Sequence, residues 1–448
     1  MRKTQSKYYI VIGEIMRYFL SVFNFGFIAY IIGIRKKKLW DPLVVFSVFW
    51  GLIIFLASLQ LFNLYPISRN VYIMFELGFV SFVIGYGNWS LIGDKFKIKE
   101  LSKFGKGTYA INYKLINVSI AGVSAFFVYR LKDYFSLVRQ GYSGEELRYM
   151  FFEYEPTNAL GKYISYIQMF IATPIVYAAV ILVVIDFFEG KRQKFFLINT
   201  LVMIAIYIVI SGGRVIILNT AFHVIFILLI KSRLHLLKLL LKYKKILISM
   251  GISCVVLFML LNAKRGNENS GSELLKQMYV YYIGCMQHFE KRIDMLGNHR
   301  DHGVSFFAGY FRPILLVLSK VGFSVPDNYE VFMSYNSTLQ SGVQIGPDVW
   351  YNAFVSMNYH FYLSFGVFGI FLGNFMYGSI ASSLYLKVKG ESENILNTAA
   401  LVLLLQGILT SMVRWQFVIP AYALAFIYIR AFLTKTSESN YNFIKRMG

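Results

Sequence analysis

Charge is scarce in this sequence, and acidic charge is scarcer still. Only 15% of the 448 residues are charged, where a soluble domain carries about 25%, and 23 acids stand against 45 bases. Cysteine is nearly absent. Cys254 lies in an apolar run and Cys285 in a loop, so a disulfide framework is excluded, and nothing has the spacing of a metal site. The motifs of soluble enzymes are missing as well: no Walker loop, no His-Glu-x-x-His and no Gly-x-Ser-x-Gly. No Asp-x-Asp occurs, which removes the usual clamp for a metal-bound diphosphate. There is no internal repeat and no low-complexity tract.

What fills the sequence is apolar surface. Hydrophobic residues make up 57% of it and the mean hydropathy is +0.54. These residues gather in runs of the length a spanning helix needs, about 17–25 residues, whereas a soluble helix shows an apolar stripe. The runs cover 10–34, 43–64, 71–92, 115–131, 163–185, 195–210, 215–230, 246–261, 365–386, 395–413 and 417–433. The expected fold is all-α, a polytopic transmembrane helical bundle of about 11–12 spans forming a single membrane domain. The first run carries Glu14 and Arg17 and lacks a small-residue cleavage site, so it reads as a retained span rather than a signal peptide.

The net charge of +22 on a soluble protein would suggest nucleic acid. Here the bases sit between apolar runs, which reads as membrane orientation with no nucleic-acid partner. Arg35-Lys36-Lys37-Lys38, the lysines between 95 and 114, Lys191-Arg192 with Lys194, the bases from 231 to 245 and Lys435, Lys445 and Arg446 mark the cytoplasmic side. Two long connections, 132–162 and 264–348, lack that excess and fall outside. One conflict remains. An odd number of spans with the tail inside puts the basic N-terminus, with Arg2, Lys3 and Lys7, on the outer side.

The larger outer loop has structure of its own. Leu274, Met278, Tyr282, Met286, Phe289 and Ile293 recur at helical spacing, which predicts an amphipathic helix. The apolar stretch 306–323 is interrupted by Arg312-Pro313 and reads as a re-entrant segment, tolerable only where it lines a cavity. Chemistry is therefore expected on the outer face.

Arginines gather there. Arg130 ends a span, Arg214 begins one after Ser211-Gly212-Gly213, Arg265 follows another, and Arg292, Arg300 and Arg312 lie in the large loop. An outer arginine either snorkels and pairs with a nearby acid or joins others on an anion such as a diphosphate, through its forked donors. Arg214 stands out, because a helix start adds free N–H groups and a favourable dipole. His302 and His360 are the candidate general bases, with Asp348 a third. His223, in mid-span, reads as a packed or hydrogen-bonded residue. No cofactor and no metal are expected.

Several short stretches resemble a known family. Ser211-Gly212-Gly213-Arg214 opening an apolar helix, Tyr351-Asn352-Ala353-Phe354-Val355-Ser356, and Tyr362-Leu363-Ser364-Phe365-Gly366-Val367-Phe368-Gly369 look like the Wzy-type O-antigen and capsule repeat-unit polymerases. So does the layout of many spans with one dominant outer loop in the second half. Ser364 stands where those polymerases often have Asp. Arg130 to Gly141 and Arg292 to Gly303 match the arginine, ten residues, glycine pattern described for that family. The resemblance implies a multi-pass protein of the bacterial inner membrane whose active face points outward. It would join undecaprenyl-diphosphate-linked oligosaccharides, with Arg130, Arg214 and Arg292 on the diphosphate and Arg265 and Arg312 in reserve. Membrane lipid, a flippase and a chain-length regulator would be its partners. The alternatives are an O-antigen ligase, which runs the same chemistry on a different acceptor, and a flippase for lipid-linked oligosaccharide.

Overall fold

The computed structural model describes residues 18–35, 37–95, 108–142, 146–147, 150–151, 159–211, 215–231, 271–347, 349–352, 354–390 and 394–436. The expected span 246–261 lies outside them, as do Arg214, Arg265 and Asp348. The protein is an all-α polytopic membrane protein. Among the described residues five helices are long and apolar enough to cross a bilayer: Arg69–Asn88, Tyr113–Arg139, Leu160–Phe188, Lys194–Ser211 and Met357–Gly390. Shorter apolar helices run over Tyr18–Ile34, Pro42–Ser58, Ile216–Lys231 and Ile395–Leu409. The chain divides into two compact units, each assembled from separate stretches of sequence.

The first unit comprises 1–100, 268–386 and 407–419. It contains α1 (Tyr18–Ile34), α2 (Pro42–Ser58) and α3 (Arg69–Lys95). Asp41 starts α2, its side chain accepting from the Leu43 N–H at 3.0 Å with Pro42 at the first helical position, where its missing N–H costs nothing. Lys37 pairs with Asp41 at 3.2 Å and lies over the rings of Tyr86 and Tyr385. The expected span 43–64 stops at Ser58, because Gln60, Phe62 and Asn63 all take positive φ and turn the chain out of the helix.

The long connection expected at 264–348 is built, not loose, over its described residues. It contributes α4 (Gly271–Leu296), α5 (Val304–Lys320), α6 (Asp327–Ser337) and a hairpin of β1 (Val343–Gly346) with β2 (Val349–Tyr351). α4 is helical over the predicted stretch, but the expected stripe is only partly buried: Met286 and Phe289 are fully buried, whereas Met278 and Tyr282 are exposed. In α5 the stretch 306–323 is helical up to Lys320. The helix continues through Arg312-Pro313, and its non-helical residue is Phe307. Ile314, Val317, Val321 and Phe323 at its far end are exposed.

The chain does reverse elsewhere. α7 (Met357–Gly390) is broken at Phe365 (φ −144°, ψ 27°) and Gly366 (φ 62°, ψ −142°), and residues 357–364 fold back on the long arm that begins at 367. A Cβ on Gly369 would overlap the Phe361 carbonyl, and one on Gly373 would overlap the Phe361 ring. Asn374 donates to Asn358 across the two arms at 2.9 Å. The backbone leading into the short arm is paired: the N–H groups of Val355, Ser356 and Met357 donate to the carbonyls of Val413, Met412 and Ser411 at 2.7–2.9 Å. The long arm crosses α3 in backbone contact. A Cβ on Gly85 would strike the Phe375 carbonyl, and one on Gly378 would strike that of Phe82. Small residues at such crossings let helices approach closely in lipid.

The second unit comprises 101–267, 387–406 and 420–448. It holds α8 (Tyr113–Arg139), Leu160–Phe188, Lys194–Ser211, Val215–Lys231 and α9 (Pro420–Ala431). α8 runs eight residues past the expected end at 131, so the connection expected at 132–162 begins as helix. α9 is too short to span, at about 18 Å, and it is followed by a strand, Leu433–Thr436, antiparallel to Thr108–Ile111. Glu189 holds Lys231 at 2.8 Å. His223 is buried and hydrogen-bonded through Nε2 to Gln406 at 2.7 Å, while its Nδ1 has no partner among the described residues.

Candidate functional site

The reversal of α7 is clasped by the turn that joins α4 to α5. The Asp301 N–H donates to the Leu363 carbonyl at 3.0 Å, one of the last carbonyls of the short arm, which helical bonding leaves open. The Asp301 carboxylate is fully buried. It accepts from the N–H groups of Gly303 and Ser305, each at 3.1 Å, and from the Ser305 hydroxyl. Burial pushes the Asp301 pKa up, and these bonds together with one to Ser364 pull against that shift. Ser364, which replaces the Asp of the resembling motif, thus meets a carboxylate supplied by a different segment. Phe306 stacks on Phe361 at 5.3 Å, and the Trp415 indole donates to the Phe306 carbonyl at 2.8 Å.

Arg300, next to this anchor, has two of its five N–H donors in use. Nη1 donates to the carbonyls of Gly297 (3.0 Å) and His299 (2.6 Å), and the guanidinium lies over the Tyr362 ring at 4.9 Å. Nε and Nη2, the edge that grips a carboxylate or phosphate with two parallel bonds, make no hydrogen bond among the described residues. That edge faces Gly366, where an added Cβ would lie 3.7 Å from each nitrogen. His302 sits two residues on. It is exposed, held at φ 50°, with its ring 6.5 Å from that of Phe365.

Arg292 is a different kind of arginine. It is 5% exposed and its donors are taken. Nε donates to His288 Nε2 at 2.8 Å, Nη2 to the carbonyl and hydroxyl of Ser341 at 2.5 and 3.0 Å, and Nη1 to the Met295 sulfur at 3.7 Å. Burial lowers its pKa. His288 donates from Nδ1 to the Phe354 carbonyl at 3.0 Å, so its Nε2 carries the lone pair that Arg292 uses. Burial, and after it the charge of Arg292, push the His288 pKa down to about 4. Arg292 therefore fastens α4 to the hairpin rather than offering a free fork. Tyr351 and Phe354 of the resembling stretch pack around the same point: Tyr351 donates to the Tyr281 carbonyl at 3.0 Å, and its ring fills the space left by Gly284.

The other expected residues are scattered. His360 is fully buried in the short arm, and neither ring nitrogen has a protein partner. Arg312 is half-buried on α5. Arg130 belongs to the second unit, where it stacks on Phe151 at 4.3 Å and its Nε is buried without a partner. Within the first unit the structure thus brings Arg300 and His302 to the reversal, with Arg292 and His288 bracing α4 against the β1–β2 hairpin. Sequence reasoning placed Arg300 among the outer arginines without giving it the diphosphate. The signal available was its position between His299 and His302, in the loop preceding the Tyr362–Gly366 motif.

No family model, no curated protein and no solved structure matches this chain.

Proposed function

We propose that this protein is a membrane glycosyltransferase. It polymerises undecaprenyl-diphosphate-linked oligosaccharide repeat units into a surface polysaccharide, at the outer face of the cytoplasmic membrane. The observation that carries this reading is the unused Nε/Nη2 edge of Arg300, stacked on Tyr362 and aimed across Gly366. A hydroxyl of the incoming unit attacks the anomeric carbon of the growing chain. The bond from that carbon to the diphosphate oxygen breaks, and the lipid diphosphate leaves with the electron pair. Arg300 receives the charge that develops on the leaving group, which is where fixed donors contribute most. His302, exposed on the same turn, takes the hydroxyl proton. A substrate with a polyprenyl tail accounts for a site built on membrane helices.

The test is polymer formation from purified lipid-linked repeat unit. Arg300→Ala is expected to lower the rate by about 10²–10³. Arg300→Lys is expected to restore little, since an ammonium neither stacks flat on Tyr362 nor forks. Wild-type polymer from a folded Arg300→Ala protein overturns the assignment. Product analysis separates the rival: free or lipid-linked polymer supports the polymerase, and glycan transferred to the lipid A core supports a ligase.

A further inference from the structure

Glu76 is the one acid of the described first unit set inside an apolar crossing. It lies seven residues beyond the start of α3, about 10 Å along the helix, and is 9% exposed. Its Oε2 accepts from Asn24 Nδ2 of α1 at 3.1 Å. Its Oε1 and the Asn24 Oδ1 are buried and have no hydrogen-bond partner. Among the described residues the surroundings offer no counter-charge. Residues 18–34 of α1 and 42–58 of α2 contain no Asp, Glu, Lys, Arg or His, and Asn24 packs on Gly51 of α2. One turn before Glu76, Tyr72 spends its hydroxyl on the Ala57 carbonyl at 2.9 Å. From α4 the neighbouring face brings Phe289 onto Phe75. On the α7 side the groups near Gly78 are the neutral amides of Asn358 and Asn374.

A carboxylate left bare in such a place costs several kcal/mol, more than one amide hydrogen bond returns. Acids inside membrane bundles are accordingly partnered or functional. The side-chain amide of Asn24 can turn over and present its oxygen instead of its nitrogen. Glu76 Oε1, Glu76 Oε2 and Asn24 Oδ1 then form a small all-oxygen set around one negative charge.

We propose that Asn24 and Glu76 form an intramembrane binding site for a small monovalent cation, a proton or Na⁺. A bound proton sits on one Glu76 oxygen and is donated to Asn24 Oδ1. A bound Na⁺ lies between the carboxylate and the same amide oxygen. Neither form depends on the Arg300 site, so the proposal stands or falls apart from the polymerase reading.

The experiment treats the full-length protein in detergent with a hydrophobic carbodiimide and locates adducts by peptide mass spectrometry. The O–H of a protonated carboxyl adds across one C=N bond of the reagent, and the O-acylisourea rearranges to a stable N-acylurea on the same side chain. Labelling of Glu76 that falls as pH rises and ignores Na⁺ supports the site with a proton as ligand. Labelling suppressed severalfold by NaCl, but not by choline chloride at equal ionic strength, supports Na⁺. NaCl then also raises the melting temperature, as any ligand that binds only the folded state does, and Glu76→Gln abolishes that rise. No adduct on Glu76 at any pH, together with equal melting temperatures in the two salts, overturns the proposal. Both readouts use the wild-type chain, so the result does not hang on how the variant folds.

Discussion

The Nε of Arg292 donates to the Nε2 of His288, one helical turn earlier, at 2.8 Å. The imidazole can accept that bond only while neutral, and its Nδ1 is already committed to the Phe354 carbonyl.

This pair makes stability depend on pH in a defined direction. The folded-state pKa of His288 is depressed to about 4 from an unfolded value of about 6.5. Below 6.5 the unfolded chain takes up the proton and the folded chain does not. Stability contributed by the neutral histidine is therefore complete above about pH 6.5 and is lost progressively as pH falls toward 4. The loss is on the order of 3 kcal/mol. Melting in detergent across this range should show the drop, and His288→Gln should flatten it. An unchanged slope in the variant would assign the acid sensitivity to another group.

The reversal of α7 depends on glycines. Gly366 adopts φ 62° and ψ −142°, a region essentially closed to residues with a Cβ, so Gly366→Ala should cost about 1–3 kcal/mol. Gly369→Ala is expected to be worse, because its methyl overlaps the Phe361 carbonyl. Thermal melting ranks the two. A Gly369→Ala protein as stable as wild type would mean that the two arms are not in contact.

The crossing of α3 and α7 gives a second steric test. Gly85→Ala and Gly378→Ala each push a methyl into the facing backbone, and overpacking of a close crossing costs typically 1–3 kcal/mol or more. Both variants should lower the yield of folded protein and the melting temperature. A control at Gly87, where nothing lies within 4 Å of an added Cβ, should stay near wild type.

Much of the fold was legible because apolar runs and helical spacing are physical constraints on one segment at a time. Leu274 through Ile293 announced α4, and the uninterrupted run near 200 announced Lys194–Ser211. The reversal was not legible: the expected span begins at 365, and the short arm 357–364 that folds back on it gave no helical signal of its own. Arg312-Pro313 interrupts the apolar run but not the helix: proline removes a single N–H, and α5 tolerates that loss. Arg292 was visible as an outer arginine, but its burial depends on Ser341, 49 residues away. Contacts of that range leave no local pattern. Arg300 gained its place through Tyr362 and Gly366 by the same kind of distant contact.

The meeting of Gly85 and Gly378 has a mechanical meaning. Two main chains in contact, with Ser379 also donating to the Gly85 carbonyl at 3.2 Å, leave no side chain between them to compress or re-rotamerise. The C-terminal part of α3 and the long arm of α7 then behave as one stiff beam.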